Sequence, residues 1–142
     1  MKSLKFLQTT GVAIVGALLM FACTSKVVPA IKLEAPEEGS EVYVGRDLHF
    51  VAFLKDSRGL ASYAILILPI EGETLVGDAA FNVSYNNTWT LPNEKIIQLH
   101  HHEITIPEDA ATGKYLFTLS CTNRSKNKAE VSRVITIKNP FD

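Results

Sequence analysis

From Lys114 to Thr122 the chain reads KYLFTLSCT, and this alternation constrains its fold more than any other stretch. Tyr115, Phe117, Leu119 and Cys121 fall on one side of an extended strand. Leu116, Thr118, Ser120 and Thr122 fall on the other. A period of two belongs to a pleated strand with one face in a core, so the first set is expected to be buried, Tyr115 only partly. After residue 28 no stretch of helical length repeats its apolar residues every 3.6 positions; Pro107–Thr112 has room for one helical turn at most.

The same β signal recurs down the chain. Runs of Val, Ile, Leu, Phe and Tyr predict strands near 30–34, 41–44, 47–55, 62–70, 80–85, 95–106, 114–122 and 130–138. Between them stand turn residues, including Pro36–Gly39, Gly45–Arg46, Asp56–Gly59, Asn86–Asn87 and Asn123–Asn127. Seven to eight strands at this spacing predict an all-β, immunoglobulin-like Greek-key β-sandwich. Tyr115, two residues after Gly113, stands where a tyrosine corner would bond back to loop backbone. Trp89 is read in a polar loop, either capping the core from the sheet edge or exposed to bind something.

The N-terminus speaks to compartment. Lys2 and Lys5 precede an apolar run from Gly11 to Ala22, shorter than the ~20 residues of a permanent span. The run ends at Ala22-Cys23, with Leu19 four positions before the cysteine. This pattern resembles the bacterial lipobox. The resemblance implies cleavage before Cys23 and acylation of its thiol, palmitate among the acyl groups; the other readings are an ordinary secretory signal or an uncleaved anchor. The expected organisation is a signal peptide over 1–22, a lipidated tether over 23–28 and one sandwich over 29–142. Removing 22 of 142 residues takes away two lysines and no acid, leaving 12 basic against 15 acidic side chains, a net of −3. With no basic stripe, nucleic acid is not an expected partner. With Cys23 given to lipid, Cys121 is alone, so no disulfide is expected and a buried thiol is.

One constellation carries chemistry. His100, His101, His102 and Glu103 are consecutive and hold three of the four histidines. On a regular strand His100 and His102 share a face with Ile104 and Ile106, while His101 and Glu103 share the other with Leu99. Residues two apart lie ~6.5–7 Å from one another, so both imidazoles can reach one ion. Imidazole suits zinc or copper. Further ligands would be His101 or Glu103, through a bulge or from a second chain. His49 is either a distant ligand or simply packed in its strand. The alternative is a surface patch of histidines on an edge strand. A calcium site at Asp56-Ser57-Arg58-Gly59 is weaker, since it offers one carboxylate and a competing arginine. No Gly-x-Ser-x-Gly, P-loop, His-Glu-x-x-His or Cys-x-x-Cys occurs, and no enzyme is expected.

Several segments together, PEEGSEVYVGRDLHF, LKDSRGLASYAI and LHHHEITIPEDAATGKYLFTLSCTNRSKNKAEVSR, resemble small immunoglobulin-like lipoproteins of Bacteroidota that form a domain of unknown function. Such proteins usually follow the Gly-x-Tyr strand with an Asp-x-x-Gly-Asn turn, where this chain has Asn123, Lys126 and Asn127, and many carry mid-domain histidines that 71–90 lacks. The resemblance implies a fold and a location. The expected function is a membrane-anchored, non-catalytic binding lipoprotein of the bacterial envelope, taking a transition metal or a protein partner. The rival is a structural or adhesion module of a surface assembly. Surface lipoproteins of Bacteroidota often carry acidic residues just after the cysteine, and Thr24 to Val28 holds none, so the resemblance implies the periplasmic face of the outer membrane rather than the cell surface.

Overall fold

The computed structural model describes residues 26–142; Cys23 and the leader lie outside the described residues. Eight strands follow one another: β1 (Ala30–Ala35), β2 (Ser40–Tyr43), β3 (Asp47–Lys55), β4 (Leu60–Pro69), β5 (Tyr85–Thr90), β6 (Ile96–Thr105), β7 (Gly113–Asn123) and β8 (Lys128–Lys138). They form two sheets, one ordered β1-β3-β6 and one ordered β2-β8-β7-β4-β5. All pairings are antiparallel except β2 with β8. This is an immunoglobulin-like Greek-key sandwich: β8, β7 and β4 take the places of the G, F and C strands, and β5 adds a further edge. Among the described residues no helix is long and apolar enough to cross a membrane.

Alternation decides which side chains meet between the sheets. Leu48, Phe50, Ala52 and Leu54 come from β3 and face Tyr63, Ile65 and Ile67 of β4 and Ile135 and Ile137 of β8, all buried. Tyr115, Phe117, Leu119 and Cys121 of β7 are completely buried, Tyr115 more deeply than its position at the strand start suggested. Its hydroxyl donates to the carbonyl of Ala111, four residues upstream, at 2.7 Å and accepts from the Val83 amide at 3.4 Å. Burial raises the Tyr115 pKa, so the phenol stays protonated and able to donate. This is a tyrosine corner. Tyr115→Phe keeps the ring and strands two backbone groups, and is expected to lower unfolding free energy by about 1–3 kcal/mol in urea titration; an unchanged midpoint would remove the corner's structural role.

The structure departs from the expected strand boundaries between residues 80 and 90. Residues 80–85 were expected to be a strand and Asn86–Asn87 a turn. Instead a short 3₁₀ turn spans Ala79–Phe81, capped by the Asp78 carboxylate accepting from the Ala80 amide at 3.0 Å, and β5 is the NNT-containing segment itself. Pairing with β4 overrides the weak strand preference of Asn. Trp89 therefore lies on an edge strand, not in a loop, and stacks on Tyr63 with ring centroids 4.7 Å apart. Pro107–Thr112 forms no helix.

Cys121 is a buried free thiol. Burial pushes its pKa up to about 11, with the Asp56 carboxylate adding to the rise. Only the thiolate attacks electrophiles. Thiol reagents at pH 9 are thus expected to modify Cys121 only as fast as the domain opens, with reaction accelerating at the unfolding midpoint in urea. Rapid labelling of native protein is the opposing result.

Candidate metal centre

The His100–Glu103 segment lies on β6, at the edge of the three-stranded sheet and paired on one side with β3. The ladder is not regular there. Leu48 pairs with Ile104 and Phe50 with His101, so a step of two residues on β3 meets a step of three on β6. The surplus residue is a β-bulge at His102–Glu103, opposite His49. Its effect is to switch which parity faces inward. Leu99 and His101 point to the core before the bulge, and Ile104 does so after it. His100 and His102 therefore do not share a face with Ile104 and Ile106, as a regular strand would have it. They point outward, and Glu103 is exposed rather than sharing the inner face with His101.

On β3 the residues flanking His49, Leu48 and Phe50, are buried, so His49 points outward too. It meets the other two across the ladder. His49 Nε2 lies 3.1 Å from His100 Nε2, and His102 Nε2 lies 3.1 Å from the same atom. One ligand nitrogen from each of the three falls within 4.8 Å of the others. The rings of His49 and His102 stack, with centroids 4.9 Å apart and planes 5° apart. A tetrahedral ion with bonds of ~2.0–2.1 Å holds its nitrogens ~3.3 Å from one another, close to the two short spacings. A proton can be shared by only two of three converging lone pairs; a cation at their centre can accept all three.

His101 has a different role. Its Nε2 lies 2.6 Å from the Tyr63 hydroxyl, and its ring packs against Phe50, Tyr63 and Trp89 at 5.7, 5.9 and 5.8 Å. Burial, with smaller additions from Glu103 and Tyr85, pushes the Tyr63 pKa up to about 12. The phenol thus keeps its proton, and its hydrogen bond engages His101 Nε2 and turns that nitrogen away from the other three histidines. Glu103 approaches His101 Nδ1 at 3.9 Å and is not one of the three converging ligands.

The structure brings together His100 and His102, adds His49, and takes His101 and Glu103 away. His49 was legible from its neighbours: the alternation of Leu48, Phe50, Ala52 and Leu54 already places it outward. The Asp56 turn is no calcium site. Asp56 is buried, and its oxygens accept from the Arg58 amide at 2.7 Å and the Asn123 side chain at 2.9 Å.

Residues 22–138 match the family described as Domain of unknown function (DUF4625). The chain belongs to this family. The match takes in all eight strands of the DUF4625 domain and the three converging histidines. No curated protein matches the chain. Among solved structures it is similar to one described as fibronectin(III)-like modules of Clostridium thermocellum CbhA. That likeness is at 14% identity and a TM-score of 0.46, and it covers 77% of this chain and 96% of the other.

Proposed function

We propose that this DUF4625 protein is a non-catalytic binding module of the bacterial envelope that holds a divalent transition ion, zinc or copper, at His49, His100 and His102. The observation that carries the reading is the convergence of three imidazole nitrogens from two strands on an exposed sheet face. Neutral imidazole is the ligand in each case, so protons compete with the ion and affinity falls in acid. Titration calorimetry with tag-free protein is expected to give one ion per chain. His100→Ala removes the nitrogen nearest to both others and is expected to abolish that uptake, while His101→Ala leaves it in place. Stoichiometric uptake that survives His49→Ala/His100→Ala/His102→Ala would falsify the site.

The leader supports a location for the module. In this reading Cys23 is acylated, as in the Bacteroidota lipoproteins the sequence resembles, and holds the domain on the outer membrane, facing the periplasm. Several acyl chains anchor a small domain durably, at about 0.8 kcal/mol per buried CH₂. Cys23→Ser is expected to move the protein to the soluble fraction or leave it unprocessed. A processed, membrane-bound mutant rules the anchor out, and removal of the wild-type protein by protease on intact cells rules the orientation out. The second reading is a structural or adhesion module, which the sandwich architecture itself favours. It predicts head-to-tail oligomers and no ion uptake.

A further inference from the structure

We infer that the ion held by the three histidines keeps an open coordination position that binds a small anion. The inference rests on the metal-binding reading above and adds a ligand to it. Closed structural zinc sites take four protein ligands, and sites that handle a ligand take three and leave one position to solvent or substrate. Here the protein supplies three. Among the described residues no fourth histidine, cysteine or carboxylate joins the cluster. Each nearby donor is committed elsewhere. His101 turns inward and is hydrogen-bonded to Tyr63. Asp47, two positions before His49, accepts from the Thr105 hydroxyl at 2.6 Å. The Glu103 carboxylate lies beside His101. Cys121 is buried in the other sheet.

The surroundings leave room for an incoming group. All three histidines are exposed, and all stand on the outer side of the sheet. His49 also lines a cleft of about 550 Å³ whose walls carry Glu34, Glu37, Glu41 and Asp47 beside Arg46, so the preference for an anion comes from the ion and not from the cleft. Charge selects the class of ligand. Three neutral imidazoles leave the full double positive charge of the ion uncompensated, so an anionic donor is bound in preference to a neutral one. A monodentate anion such as azide, or a simple carboxylate, meets the geometry and the charge.

Cobalt(II) reports the position directly, because its visible absorption depends on the number and kind of its ligands. The full chain, without an affinity tag, is loaded with cobalt and its stoichiometry measured first. Azide and acetate are then titrated in, and neutral imidazole separately. The expected result is a saturable change in the visible bands with each anion, at concentrations well below those imidazole requires. A spectrum indifferent to anions in protein carrying one cobalt per chain overturns the inference and leaves the metal site standing. So does a response to imidazole alone. If wild type is silent and Glu103→Gln responds to azide, the glutamate closes the site and the inference is wrong. Failure to bind cobalt at all removes the metal-binding reading, and the open position with it.

Discussion

Phe117→Ala is expected to lower the free energy of unfolding by about 3–5 kcal/mol, the usual cost of truncating a fully packed aromatic. Phe117 sits at the middle of β7 with no exposed surface. Its ring lies 5.9 Å from that of Phe50 on the opposite sheet, so the pair joins the two halves of the sandwich. Its ladder neighbours are Ile67 on β4 and Arg133 on β8. A cavity there is walled by two sheets whose strands are held by their own hydrogen bonds, and it cannot easily collapse. Thr118, one residue on, faces outward, and its hydroxyl shares a hydrogen bond of 2.9 Å with Ser132 on the surface. Thr118→Ala is expected to cost within about 1 kcal/mol. Equilibrium urea unfolding of both variants tests the contrast. Equal losses would mean that the two faces of β7 are not the inside and outside of the domain.

Asn123→Ala is the second large effect, expected at about 3 kcal/mol, because it strands several buried groups at once. Asn123 is 1% exposed. Its side-chain amide donates to Asp56 Oδ2 at 2.9 Å and to the Val27 carbonyl at 3.2 Å, and its Oδ1 accepts from the Asn127 amide at 2.9 Å. One side chain thus ties the end of β7, the β3–β4 turn and the segment before β1. Removing it leaves the buried Asp56 carboxylate with the Arg58 amide as its remaining donor. A cycle with Asp56→Ala is expected to show strong coupling, since the double mutant no longer buries a half-satisfied charge. A loss below about 0.5 kcal/mol for Asn123→Ala alone, or additive losses in the cycle, would show that the network contributes little.

Much of this could be foreseen residue by residue. Tyr115, Phe117, Leu119 and Cys121 are buried because a strand has only two faces and theirs is the apolar one. The corner at Tyr115 follows from a turn-forming Gly113 and a phenol that needs a partner once buried. Asn123 opens a turn, as asparagine after a strand signals, but nothing local says that its side chain is buried against an aspartate 67 positions earlier.

What the sequence by itself determined is the class of the fold and the inner face of β7, and the alternation of Leu48, Phe50, Ala52 and Leu54 sets the outward aim of His49. These depend on intervals along one strand, and such intervals are written in the order of residues. What only the tertiary structure decided is the register of β6 on β3. The bulge at His102–Glu103 switches the inward parity, commits His101 to Tyr63, and sets His49 beside two histidines about fifty positions away. The physical reason is that periodicity describes a strand alone. A ladder's register is settled between strands, where the burial of Leu48, Phe50, Leu99 and Ile104 outweighs the cost of one unpaired residue.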